Sequence, residues 1–201
     1  MKIKIVIIFA MISFFSCEQK KRIIKGDTPY QRHQNGDFKD ASKSPLKSKD
    51  LKHFEGLDFF KQDSTYVVNA SLERNLDTIW FKMKTTTDRV SEERIYGVLS
   101  FELKGKTYNL NIYQGKETMT QEGLEDYLFL PFIDETNGFE TYGGGRYIDA
   151  QIPKGDRIII DFNKAYNPYC AYNEAFSCPI VPRENYLKTR IEAGVKTFKK
   201  N

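Results

Sequence analysis

From Ser64 onward the apolar residues of this chain recur at every second position, the period that one half-buried β-strand after another requires. Tyr66, Val68, Ala70 and Leu72 alternate with Val67, Asn69 and Ser71, and Ile79, Phe81 and Met83 alternate with Trp80, Lys82 and Lys84. Leu99, Phe101 and Leu103 run into Lys104-Gly105-Lys106, and Tyr108, Leu110 and Ile112 return, which predicts a hairpin over residues 97–113. Further strands are predicted at 127–132, 146–152 and 157–162, the last two joined by a Pro153-Lys154-Gly155-Asp156 turn, with a final alternation over 187–193. Upstream, Thr28 as cap and Pro29 at the first helical position open a short helix that Asn35-Gly36 would end. Residues 40–53 read as a loop with one helical turn. Short strands joined by turns, with little helix, predict a mainly β fold: an antiparallel β-sandwich or partly closed barrel with a short N-terminal helix. Fifteen Phe and twelve Tyr give such a body the bulk for a core.

The first residues follow a different logic. Lys2 and Lys4 precede an apolar run that stops at Ser16-Cys17, the pattern of a secretory signal peptide. The run falls short of the roughly 20 residues a helix needs to cross a bilayer. A cysteine after a small residue at its end reads as a bacterial lipobox. Cleavage before Cys17 and acylation of its sulfur and new amino group are expected, and several acyl chains suffice for stable anchoring. The predicted organisation is a lipoprotein signal peptide over 1–16, a flexible lipid-anchored tether over 17–27, and a single β-rich domain over 28–201. Glu18 after the cysteine points to the cell envelope, on an outer membrane facing the periplasm, with the lipid bilayer as partner. Removing residues 1–16 takes two lysines from 31 basic residues and none from 27 acidic ones, leaving 29 against 27. A net charge of +2 is too small for a nucleic-acid partner.

The stretches "FIDETNGFETYGGGRYIDA" (132–150), "IIIDFNKAYNPYCAYNEAFSCPIVPRENYLKTRIEAGVK" (158–196) and, upstream, "FKDASKSPL" with "FEGLDFF" resemble the family known as domain of unknown function 1684. The string Asp161-Phe162-Asn163, Tyr166-Asn167-Pro168, Cys170, Cys178-Pro179, Pro182 and Asn185 carries the resemblance, which extends over nearly the whole chain after the tether. It implies no activity, because the family has none established.

With Cys17 given to lipid, Cys170 and Cys178 are the remaining thiols. In an oxidising periplasm the expected state is a disulfide, worth roughly 2–3 kcal/mol on the chain-entropy account. Three alternatives stay open: buried free cysteines, a zinc site completed by His33 and His53, or a catalytic Cys170 thiolate activated by one of those histidines. No metal and no cofactor is expected. Gly143-Gly144-Gly145-Arg146 lacks the Walker pattern and precedes a strand, so a tight turn using positive backbone dihedrals is the better reading. Asp134 to Gly138 reads as a hairpin turn. Arg146, between Tyr142 and Tyr147, is either an anion clamp or a buried partner for Asp149 or Asp161.

Around the cysteine loop, amides interleave with aromatic rings. Tyr142, Arg146, Tyr147, Asp161, Asn163, Tyr166, Asn167, Tyr172 and Asn185 are the ligand-binding candidates. They point to a module that binds a small molecule: a sugar, a peptide or an anion. Two other readings accompany it: a hydrolase using the Asp161 and Asp134 carboxylates or the Cys170 thiolate, and a structural protein of envelope assembly.

Overall fold

The computed structural model describes residues 24–200. Eight strands form one sheet: β1 (Val67–Arg74), β2 (Phe81–Lys84), β3 (Val90–Leu103), β4 (Lys106–Gly115), β5 (Tyr127–Asp134), β6 (Arg146–Gln151), β7 (Arg157–Asp161) and β8 (Tyr186–Leu187). Six of them run in the order β6-β5-β4-β3-β1-β7, while β2 pairs with β3 and β8 with β5. Every pairing is antiparallel except that of β8.

The expected fold is present, and the connectivity shows why it is a partly closed barrel. β6 and β7 are the two ends of the six-strand path, yet only the five residues 152–156 join them. Laid flat, five inter-strand gaps would separate these strands by about 24 Å, more than so short and turned a link spans. The sheet therefore curls until its edges approach. Its inner face closes on one core: Val68 and Leu72 of β1, Leu99 and Phe101 of β3, Leu110 and Ile112 of β4, Leu128 and Leu130 of β5, Ile148 of β6 and Ile160 of β7. No β6–β7 ladder forms, and Phe162, Ala165, Leu187, Ile191 and Ala193 complete the core.

The β3–β4 hairpin turns at Lys104 (φ +51°) and Gly105 (φ +74°), the two-residue geometry whose twist suits a hairpin. It is longer than the alternation predicted, because β3 begins at Val90 and carries a bulge. Ile95 pairs with Tyr113, but Gly97 pairs with Ile112, leaving Tyr96 as the extra residue. The bulge changes which face each position addresses. Beyond it Leu99 and Phe101 point into the barrel; before it Glu93 and Ile95 share the outer face with Tyr113 and Gly115. Gly97 is required there, since a Cβ would lie 2.5 Å from the Glu73 carbonyl oxygen.

Two elements depart from expectation. Helix α1 (Pro29–Lys39), capped by Thr28 as predicted, runs through Asn35-Gly36. Asn35 is buried there, donating from Nδ2 to the Lys25 carbonyl (2.9 Å) and accepting the Leu57 N–H (2.7 Å), so long-range bonds replace the turn its sequence favours. The alternation over 187–193 yields strand only at its start, because Ile191 and Ala193 enter the core from an irregular segment. α2 (Ser48–Lys52) is the single turn predicted within residues 40–53. Residues 1–23, on which the expected signal peptide, Cys17 and most of the expected tether fall, lie outside the described residues.

The outer face of the sheet is covered in its turn. Phe38, Leu46 and Phe54 from the helical region pack with Ala171 and Tyr172 of the loop over residues 166–181. That loop lies on the sheet, and its Val181 packs with Met83, Tyr113, Phe129 and Tyr147.

Candidate functional site

The covering loop is fixed to the sheet at two places. Tyr166 exchanges backbone hydrogen bonds with Tyr147 of β6 (2.9 and 3.0 Å), and Ile180 donates to the Lys84 carbonyl of β2 (2.8 Å). Between these anchors the loop stands off, leaving an open cavity of about 480 Å³. Tyr127 and Phe129 of β5, Tyr147 of β6, and Tyr166, Tyr169 and Phe176 of the loop wall it. The rings form edge-to-face pairs: Phe129 with Tyr147 at 4.7 Å, Tyr147 with Tyr166 at 5.9 Å, and Tyr169 with Phe176 at 5.2 Å.

Three carboxylates, Glu93, Glu117 and Asp149, line this aromatic space. Asp149, in an exposed position, accepts hydrogen bonds at Oδ1 from the hydroxyls of Tyr127 (2.7 Å) and Tyr166. Burial, reinforced by the Asp149 charge, pushes both tyrosines well above their ordinary pKa, so they remain phenols. Glu93 is only 5% exposed. Its Oε1 accepts from the Ser91 hydroxyl at 2.6 Å, while its Oε2 is buried with no hydrogen-bond partner among the described residues. Burial raises the Glu93 carboxyl above the ordinary 4.5, against the opposing effects of the Ser91 hydroxyl and the Arg89 charge. Gly115, its cross-strand neighbour, leaves room for the carboxylate, because a Cβ there would sit 3.2 and 3.3 Å from its two oxygens. Arg89 also lines the cavity, but directs Nε to the Ser177 hydroxyl and a terminal nitrogen to the Ser177 carbonyl, both at 3.1 Å.

Of the residues nominated by sequence, Tyr147 and Tyr166 line this cavity and Cys178 contributes to its edge. Arg146 does not: it is an inward position of β6, fully buried. It pairs with Asp134 at 2.7 Å, rather than with Asp149 or Asp161, and donates to the carbonyls of Ile191 (2.8 Å) and Ala193. Its role is to fasten β5, β6 and the C-terminal segment together, and with no exposed surface it cannot clamp an external anion. Only Gly145 of the preceding triplet takes a positive φ (+92°), and a Cβ there would meet Val181 at 2.6 Å and the Phe132 carbonyl at 2.8 Å.

The remaining nominees are mostly structural. Asn185 ties the chain to the Asn111 backbone and the Pro131 carbonyl (2.6 Å), and Tyr172 is buried against Phe38 at 4.7 Å. Asn167 is buried and donates to the Lys196 carbonyl. Asp161 caps the turn at Asn163 and, with Asn163, lines a separate cavity of about 290 Å³ beside Tyr30. Asp134 and Asp161 therefore do not converge on one pocket, which removes the geometry of the carboxylate hydrolase.

Cys170 and Cys178 are free thiols in the structure, where a disulfide was expected. They hydrogen-bond to one another, and Cys178 Sγ also accepts the Cys170 N–H at 3.2 Å. The Cys178 thiol, with help from the Tyr142 and Thr86 hydroxyls, lowers Cys170 to about 6, while Cys178 is pushed up by holding the shared proton and by burial. Tyr142, raised to about 12 chiefly by burial, thus belongs to the thiol pair. Neither histidine takes part: His33 pairs with Asp37 along α1, and His53 follows α2. Among the described residues no cluster of three potential metal ligands occurs.

The site defined here is an aromatic-walled, carboxylate-bearing cavity on the outer face of a curled antiparallel sheet. A family profile described as "Protein of unknown function (DUF1684)" matches residues 52–196, and the chain belongs to that family. Among solved structures it is similar to the solution NMR structure of an uncharacterized protein of Haloarcula marismortui, at 32% identity and a TM-score of 0.65, covering 83% of this chain and 90% of that one. No curated protein matches it.

Proposed function

We propose that this protein is a binding module that holds a small ligand in the cavity between the outer face of the sheet and the cysteine loop, presented from a membrane by lipid on Cys17. The observation that carries the reading is the unpartnered Oε2 of Glu93 within an aromatic-walled space. A fold that buries a carboxylate oxygen without a donor bears a cost that a ligand donor removes on binding. The volume lies in the range of small-molecule sites, where aromatic walls supply contact area and a few polar groups set orientation. A fragment screen by amide NMR tests this. Shifts at Glu93, Tyr127 and Tyr166 support it, and a library that perturbs only residues elsewhere refutes it.

The envelope placement rests on the N-terminal pattern. Wild type should partition into detergent and Cys17→Ser into water in a phase-separation assay of the expressed full chain; equal partitioning would remove the lipid. In an oxidising compartment the adjacent thiols would close to a disulfide, with a thiol–disulfide oxidant accepting the two electrons. Intact mass with and without reductant, after alkylation, reads that state.

A further inference from the structure

We propose that the ligand of this cavity is an organic cation: a small molecule whose ammonium or guanidinium group sits against the rings and pairs with Glu93 and Asp149. The inference rests on the binding reading above and supplies its chemical class. The first reason is charge. Among the described residues lining the space, Glu93, Glu117 and Asp149 are acidic and Arg89 alone is basic, its N–H donors turned to Ser177, so the lining keeps an acidic excess of two.

The second reason is the kind of partner each group lacks. Glu93 Oε2 needs a donor, and a buried carboxylate is most fully compensated by one that brings positive charge. The Tyr127 and Tyr166 hydroxyls are occupied on Asp149, which holds that carboxylate in position while leaving Oδ2 without a tyrosine donor. The third reason is the wall. Six aromatic residues border the site, and the negative faces of such rings attract ammonium and guanidinium groups, more strongly when desolvated. An anionic ligand would meet three carboxylates against the one arginine. A neutral polyol would satisfy Glu93 but make no use of the charge.

NMR and calorimetric titration with ethanolammonium, putrescine and L-argininamide, beside glucose and acetate as neutral and anionic controls, tests the class. The proposal expects the cations to shift Glu93, Tyr127 and Tyr166 resonances. Glu93→Gln, and independently Asp149→Asn, should weaken that binding at least tenfold with the folded spectrum intact. Glucose binding at the same residues while the cations do not would overturn the cation class and leave the binding module standing. Failure of every probe to perturb the cavity would overturn the class, and if the fragment screen is also silent there the binding module falls with it. Cation binding that both variants leave unchanged would place the cations elsewhere and equally overturn the proposal.

Discussion

Glu93 keeps one carboxylate oxygen unpaired inside an aromatic wall, and such a group lowers stability when it ionises. The sign follows from its raised pKa. Below the ordinary 4.5 the group is protonated in folded and unfolded chains alike, and its contribution is intact. As pH rises the unfolded chain releases the proton first, so stability is lost until the folded-state pKa has been passed. Glu93→Gln should therefore melt close to wild type at pH 4 and be more stable by about 1 kcal/mol at pH 8, a few degrees in a thermal scan. A variant less stable at pH 8 would mean the carboxylate is satisfied in the native protein. Arg146 and Asp134 give a contrasting case, a buried ion pair in which both Asp134 oxygens have donors while Arg146 Nε is left without an acceptor among the described residues. Arg146→Met should cost about 3–5 kcal/mol in denaturant unfolding because it strands the Asp134 charge. A cost under about 1 kcal/mol would contradict a fastening role.

At the scale of elements, the bulge at Tyr96 determines where the site can be. It turns Glu93 and Ile95 to the outer face while Leu99 and Phe101 stay inside. Gly97→Ala should destabilise by about 1–3 kcal/mol, since the added carbon meets the Glu73 carbonyl. It should also shift the Glu93 resonances; an unchanged Glu93 environment would uncouple bulge from site. The cysteine loop makes its own prediction. Its thiol pair should alkylate once, rapidly, at a pH well below the ordinary thiol range, because the first ionisation is eased by the neighbouring thiol. Two equal, slow modifications would show that the sulfurs do not share a proton.

These elements also mark what the sequence made legible. The alternations at Tyr66–Leu72 and Leu99–Leu103 identify inward residues correctly, because burial on one sheet face forces period two. Glu93 is not legible in the sequence for a physical reason: in the charged run Glu92-Glu93-Arg94 it looks like a solvated residue, and no periodicity reveals a bulge that reverses the face. Asp149 alternates as an outward residue should, and nothing local announces a loop folded over it. Arg146 stood out for its charge but occupies an inward position, so its conspicuousness reported on the core.

At the scale of the whole molecule, the chain is built in layers: a curled sheet around its own core, the 166–181 loop over the outer face, and α1 with α2 over the loop. The cavity exists because that loop is docked at Tyr166 and Ile180 and stands away between them. No helix among the described residues is long and apolar enough to cross a membrane. The most direct measurement is a carboxyl-carbon NMR titration of Glu93 in the folded protein, with and without saturating ethanolammonium. The account predicts a midpoint above the ordinary glutamate value in the free protein, falling when the cation binds. A midpoint at the ordinary value that the cation leaves unmoved would contradict it.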